Sequence, residues 1–353
     1  MKLKNLLIIA SLFGLIVFSV FSCSKSPESE IDDNADFTIY EQKEVEVFTP
    51  DTLSVLINDS FAFIFSGDFN EDYLILVDVS MAKCFIYQDT QLVRTVGEKG
   101  EGPGEFQFMN SGVVKFVSDS LFAVYDAVST RIQFFNLEGN LTNTVKLQHF
   151  GLDFDILDDY VVLTPMMGDD ELVLVSVEDG EIVKKYSATK SVNLQTEMLP
   201  PPFRIFEIVN DTILYLMVDD YKIYRYTVED SIVSGFGVEW EVIPFPEGAE
   251  EEMMERAGEY RDLIKDRLRE DQFPCWAMFY DKAQKVLWIS ISTEQRGISR
   301  FDLFDDQGNY LKRIEMELGE DLMTLVINDG RLAGFDQATA QVVIFDVSGV
   351  YDF

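Results

Sequence analysis

The chain has 353 residues and a formal net charge of -35, from 63 acidic against 28 basic side chains. A field of that sign repels nucleic acid and anionic lipid headgroups, so nucleic acid is excluded as a partner. One histidine and three cysteines leave little for zinc sites or for Ser-His and Cys-His machinery, and are too few for a disulfide framework.

The chain begins as an export signal does. Lys2 and Lys4 give a short positive region, and Leu6 to Val20 is an apolar run broken only by Ser11, Gly14 and Ser19. That length suits a signal h-region better than a membrane span. Val20-Phe21-Ser22-Cys23 then resembles a lipobox, which makes residues 1–22 a lipoprotein signal peptide and Cys23 the lipidated residue. An ordinary cleaved signal or an uncleaved anchor helix are the alternatives. Residues 23–36 are polar and acidic, the composition of a flexible tether. The acids Glu28, Glu30, Asp32 and Asp33 resemble the export tag of surface lipoproteins of the Bacteroidota, although Lys25 and Pro27 intervene; a solvated linker explains them equally.

From about residue 60 onward the pattern is short strands rich in Val, Ile, Leu, Phe and Tyr, separated by Asp, Gly, Asn and Ser. The segments align with one another. Tyr73 to Asp78, Lys83 to Tyr87 and Gln91 to Val96 match Leu121 to Asp126, Arg131 to Phe135 and Leu141 to Val145, and again Leu332 to Asp336 with Gln341 to Phe345. Weaker copies begin near Tyr160, Ile213 and Val286, and an apolar strand leads into most of them, as at Gly112 to Val117. Six copies of about four strands each predict a six-bladed β-propeller over 37–353. The last copy lacks an outer strand, which part of Thr38 to Phe48 or Leu53 to Ile57 would supply, closing the ring. Asp78/Lys83, Asp126/Arg131 and Asp336/Gln341 recur at one spacing, read as an Asp that caps the following turn and faces its partner across a hairpin.

The most specific stretch is Arg94 to Phe106, with Gly97, Gly100, Gly102, Pro103, Gly104 and Phe106. It resembles the link of NHL-type repeats, and the chain is similar to the six-bladed β-propeller lipoprotein family of the Bacteroidota. The likeness extends over nearly the whole mature chain, with the motif clear at one blade junction. A phosphate loop would need Gly-Lys-Ser/Thr leading into a helix; this stretch leads into a strand, so it is read as a structural blade link with Phe106 filling a gap. The resemblance implies a fold and a cell-envelope location, lipid-anchored at the outer membrane on its periplasmic or exterior side, rather than an activity.

One segment departs from the β pattern. Met253, Ala257, Tyr260, Ile264 and Leu268 recur at helical spacing and predict an amphipathic helix inserted at 247–271. It serves as a brace, or its Met253, Tyr260 and Ile264 shape a partner surface; Pro200-Pro201-Pro202-Phe203 is a second long connection. Trp240, Trp276 and Trp288 would stack on sugars or pack in the core. The sequence therefore points to a non-catalytic binding or scaffolding propeller for an envelope protein, peptide or glycan, membrane-held through its N-terminal lipid. It offers no cofactor and no catalytic set. The alternative is a calcium-dependent propeller hydrolase or lyase with acids at the central channel, for which paired acids such as Asp158-Asp159 and Asp305-Asp306 are the raw material, although none has EF-hand spacing. Whether Cys84 and Cys275 pair is left open.

Overall fold

The computed structural model describes residues 36–352 apart from 109–111, 166–169, 188–204, 219, 229–233, 246–247, 249–253 and 255–270. Cys23 and the signal peptide lie outside the described residues, as do Met253, Tyr260 and Ile264 of the expected helix. Among the described residues no helix is long and apolar enough to cross a membrane.

Six antiparallel sheets form the body. Blade 1 is β4 (Ile64–Phe69), β5 (Tyr73–Asp78), β6 (Lys83–Gln88) and β7 (Gln91–Val96). Blade 2 is β8 (Gly112–Ser118), β9 (Leu121–Asp126), β10 (Arg131–Asn136) and β11 (Leu141–Lys146). Blade 3 follows as β12 (Gly151–Leu157), β13 (Tyr160–Pro165), β14 (Asp170–Ser176) and β15 (Ile182–Ser187), and blade 4 as β16 (Phe206–Val209), β17 (Thr212–Met217), β18 (Lys222–Tyr226) and β19 (Ser234–Val238). Blade 5 is β20 (Cys275–Asp281), β21 (Val286–Ile291), β22 (Ile298–Asp305) and β23 (Tyr310–Glu317). Blade 6 takes β24 (Leu322–Asn328), β25 (Arg331–Asp336) and β26 (Gln341–Asp346) from the C-terminus, and its outer strand from the N-terminus: β3 (Asp51–Ile57) pairs antiparallel with β26. Of the two candidate closing segments, Leu53 to Ile57 is the one used.

The rest of the N-terminal segment is a finding that the repeat pattern did not foretell. β1 (Asp36–Tyr40) adds a fifth strand, parallel, to β19 of blade 4, and β2 (Val45–Val47) does the same to β23 of blade 5. Residues 36–57 thus run as a strap over the outer edges of three consecutive blades. Buried polar groups hold it there. Asp302, with no exposed surface, accepts from Arg313 Nε (2.7 Å) and Nη2 (2.8 Å) and from the hydroxyls of Tyr221 and Tyr310 (2.6 Å each). The remaining fork of Arg313 donates to Gln42 Oε1 of the strap at 2.6 Å.

One blade cannot cover its own apolar faces, so the core lies between blades. Ile75, Cys84, Phe106, Val114 and Phe135 fill the junction of blades 1 and 2, while Leu56, Phe85, Leu325 and Phe335 fill that of blades 6 and 1. Cys84 and Cys275 are buried free thiols in different blades, which answers the open pairing question. Burial pushes the Cys84 thiol far above its ordinary value, so it is not a reactive thiolate.

Candidate functional site at the channel and the loop end

The inner strands β4, β8, β12, β16, β20 and β24 surround the axis. Register assigns one residue of each to the same level, opposite the third residue of the neighbouring second strand: Asp68, Lys115, Asp155, Glu207, Phe279 and Val326. Four successive blades therefore place a charge at this level and two place an apolar side chain. Lys115 Nζ lies 3.3 Å from Asp155 Oδ2 and 3.4 Å from Glu207 Oε2, and all three are buried. Asp68 Oδ2 instead accepts the Phe116 N–H of the next inner strand at 2.7 Å, and Ser66 Oγ, one step along, donates to Gly112 O and accepts from Val114 N. Burial acts to raise the Asp155 carboxyl, but the Lys115 ammonium, then Lys282, and the Ile156 N–H outweigh it and hold the group below the usual carboxylate range. The cluster ties three blades together across the axis.

No motif announced these residues, yet a signal exists. Lys115 and Glu207 are each a charge inside an otherwise apolar run, Gly112-Val-Val-Lys115-Phe-Val117 and Phe206-Glu207-Ile-Val209. Such a charge is almost never buried without a partner.

The connection from each outer strand to the next inner strand, and the turn after each second strand, lie at one end of the ring. In blades 6, 1 and 2 this end is tightly tied. Asp78 Oδ2 accepts the N–H groups of Ala62 and Phe63 in the incoming link while Oδ1 caps its own turn at Met81; burial still leaves its carboxyl raised. Asp126 Oδ1 accepts from Gln107 and Ser129, and its Oδ2 pairs with Arg131 (3.1 Å), while Asp336 caps its turn at Ala338 and Thr339. The Gly97–Phe106 stretch is part of this end. Gly97 has φ +91 and its Cα hydrogen faces the Phe106 ring, whose Cε2 would stand 2.3 Å from a Cβ there. Phe106 is fully buried, stacked on Phe108 at 4.7 Å and tilted onto Phe135. Glu105 Oε2 accepts the Gly102 N–H, and Arg131 and Gln133 of blade 2 donate to the carbonyls of Glu101 and Glu105. Gly104 N donates back to Gln133 Oε1 at 2.8 Å. Every polar group named here is engaged within the protein.

Blades 3, 4 and 5 differ. The two longest connections between described strands, from β15 to β16 and from β19 to β20, both open at this same end. The base of the second is closed by a bridge between Pro244 and Asp271, and Gln272 donates from N to Ile243 O and from Nε2 to Pro244 O. Phe273 meets Trp276 edge-on at 5.7 Å, with Trp276 partly buried, whereas Trp288 is wholly buried in core packing. Of the paired acids, Asp305 accepts from the N–H groups of Gln307 and Asn309, capping a hairpin. His149 lies in the link between blades 2 and 3, half-buried. Among the described residues no group of three or more His, Cys, Asp or Glu side chains is placed to hold a metal ion.

Comparison with curated proteins returns no match. Among solved structures the chain is similar to a Bacteroides fragilis protein assigned to export, at 13% identity and a TM-score of 0.57, covering 87% of this chain and 98% of that one. A member of the DUF4221 family from Bacteroides vulgatus matches at 10% identity and a TM-score of 0.58 with the same coverage. A catalytically inactive virginiamycin B lyase from Staphylococcus aureus, solved with quinupristin, matches at 9% identity and a TM-score of 0.51 over 83% of this chain and 98% of that one. At these identities the likeness is one of fold. A family profile described as 6-bladed beta-propeller, DUF5128, matches residues 68–295, and the chain belongs to that family.

Proposed function

We propose that this protein is an exported lipoprotein, anchored through Cys23 at the outer membrane, whose propeller acts as a non-catalytic binding scaffold. Its partner is an envelope protein, peptide or glycan taken at the loop end of blades 3 to 5. One observation carries the reading: the connections from β15 to β16 and from β19 to β20, the longest between described strands, leave and re-enter the ring at the same end, whereas the link from β7 to β8 is tied to blade 2 through its Gly97–Phe106 stretch and the remaining blade links are short. Long connections that share one end of a rigid scaffold are where binding surfaces are built. The channel cluster supports it, since Lys115 is already engaged by Asp155 and Glu207 in joining blades. Export is supported by the neighbour from Bacteroides fragilis and by the signal-like N-terminus.

The test replaces residues 247–271, or 188–204, by a short Gly-Ser linker; the Pro244–Asp271 bridge brings the ends of the first close enough to join. Proteins and glycans held by the full chain in the envelope are captured by cross-linking. Loss of one defined partner in a loop variant that keeps the melting temperature of the parent is the expected result. Retention unchanged by both replacements overturns the loop-end reading.

A further inference from the structure

The outer face of the strap is apolar where a solvated edge would be polar. Six of the eleven large apolar side chains that stand exposed among the described residues fall within residues 39–57: Ile39, Val45, Val47, Leu53, Val55 and Ile57. Val47 is 79% exposed and Ile57 70%. The outer strand β11 of blade 2, by contrast, exposes Thr142, Asn143, Thr144 and Lys146.

These side chains share one direction. In each strap strand, alternate residues turn against the following blade: Tyr40 meets the rings of Phe304 and Tyr310 in blade 5, Phe48 packs on the cluster containing Phe345 of blade 6, and Leu56 is buried with Phe85 and Tyr87 of blade 1. Ile39, Val45, Val47, Val55 and Ile57 have the opposite parity, with Leu53 at a bulge between them. Strand twist of roughly 20–25° per step accumulates from the inner strand outward. The outermost strands are therefore inclined, so that one face packs on the following blade while the other turns to solvent toward one end of the ring. The exposed row on blades 4, 5 and 6 consequently forms an arc at one end of the disc rim.

We propose that this arc rests on a neutral, zwitterionic lipid surface and fixes how the propeller sits on the membrane. The inference depends on the lipid-anchor reading above and adds the face presented to the bilayer. Three observations argue for lipid as the occupant. The arc begins three residues after Asp36, and the chain from Cys23 to Asp36 spans at most about 45 Å, so an anchored body keeps its strap side near the membrane. The apolar side chains are aliphatic and spread along a rim rather than gathered in a pocket, which suits insertion of side-chain tips among headgroups. Acids flank them, including Glu44, Glu46 and Asp51, while the basic side chains beside the strap are already engaged, Lys43 by the carbonyls of Tyr310 and Leu311, Lys312 by Glu46, Arg300 by Glu315 and Lys222 by Asp220, so the surface disfavours acidic lipid.

The experiment couples the purified chain from Cys23 onward to maleimide phospholipid in phosphatidylcholine vesicles with brominated acyl chains. Cys84 and Cys275 are buried, so the maleimide takes Cys23 alone. The added tryptophan of Val47→Trp or Val55→Trp is expected to lose emission to bromine, whereas Asn143→Trp keeps it, and acidic phosphatidylglycerol in the vesicles is expected to weaken the loss. Equal emission at all three positions overturns the proposal, as does a blue-shifted Val47→Trp that ignores bromine in a chain that sediments as a dimer. Near-ultraviolet circular dichroism of each variant selects those that fold. Because the coupling is chemical, the lipid-anchor reading fails separately: it falls if Cys23→Ala leaves the protein in the membrane fraction of cells.

Discussion

Lys115 is where the charges of the channel converge. Its ammonium is the partner of two buried carboxylates from two other blades. Replacing it with methionine removes the cation and leaves Asp155 and Glu207 buried against each other, and breaking such a buried pair costs about 3–5 kcal/mol. The pH dependence has a definite sign. In the parent the Asp155 carboxyl is held low despite burial, chiefly by Lys115, so its stabilisation is complete above the unfolded value of about 3.9 and is lost only as pH falls through the lower folded value. In Lys115→Met the largest opposing cause is gone, and burial, set only against Lys282 and the Ile156 N–H, is expected to raise the folded value above the unfolded one. The variant's deficit is then greatest at neutral pH and shrinks as acid protonates the pair. Urea denaturation from about pH 8 to about pH 5 is expected to show the two curves converging as pH falls. A constant gap would mean that lost packing of the lysine stem, not charge, sets the cost.

At the level of elements, the Gly97–Phe106 link separates two uses of glycine. Both Gly97 and Gly104 have positive φ, at +91 and +79, so alanine at either pays a backbone cost of about 1–2 kcal/mol. They differ in surroundings. A Cβ at Gly97 would collide with the buried Phe106 ring, whereas at Gly104 the nearest atom is 4.0 Å away. Gly97→Ala is therefore expected to lower stability well beyond Gly104→Ala, by about a further 1–3 kcal/mol of overpacking, measured as a difference in urea midpoint at unchanged slope. The same stretch shows what was legible beforehand. Tyr73–Asp78, Gln91–Val96 and Leu121–Asp126 are strands with the ends that alternation and turn residues marked, because hairpins are local and their signals are local. The partners of the link were not legible: Arg131 and Gln133 reach it from a strand that is nearby only once blades stack. The charges at the channel were hidden for the same reason, since Lys115 and Glu207 are 92 positions apart. Parallel addition of β1 and β2 to blades 4 and 5 left no trace in the repeat, because a fifth strand is outside the repeating unit.

For the whole molecule, closure of the ring is a matter of one strand from the far end of the chain. β3 completes blade 6, and its Leu56 is buried at the junction with blade 1, so it acts on the ring seam itself. β1 and β2 lie outside complete four-stranded blades and cover edges already formed. Two truncations separate these roles. A chain starting at residue 49 keeps β3 but loses the outer strap, including the Gln42 contact to Arg313, and is expected to remain a folded monomer with a lower melting temperature. A chain starting at residue 60 loses β3 as well, exposing the β26 edge and the apolar seam around Phe85, Val342 and Ile344. An open edge beside exposed apolar surface templates pairing with another chain, so that form is expected to self-associate on size-exclusion chromatography, and addition of the strand Asp51–Ile57 as a peptide is expected to restore the monomer. Were the chain from residue 60 to elute as a stable monomer, the seam between blades 6 and 1 would be held by packing alone, and β3 would be a cover like β1 and β2 rather than the clasp of the ring.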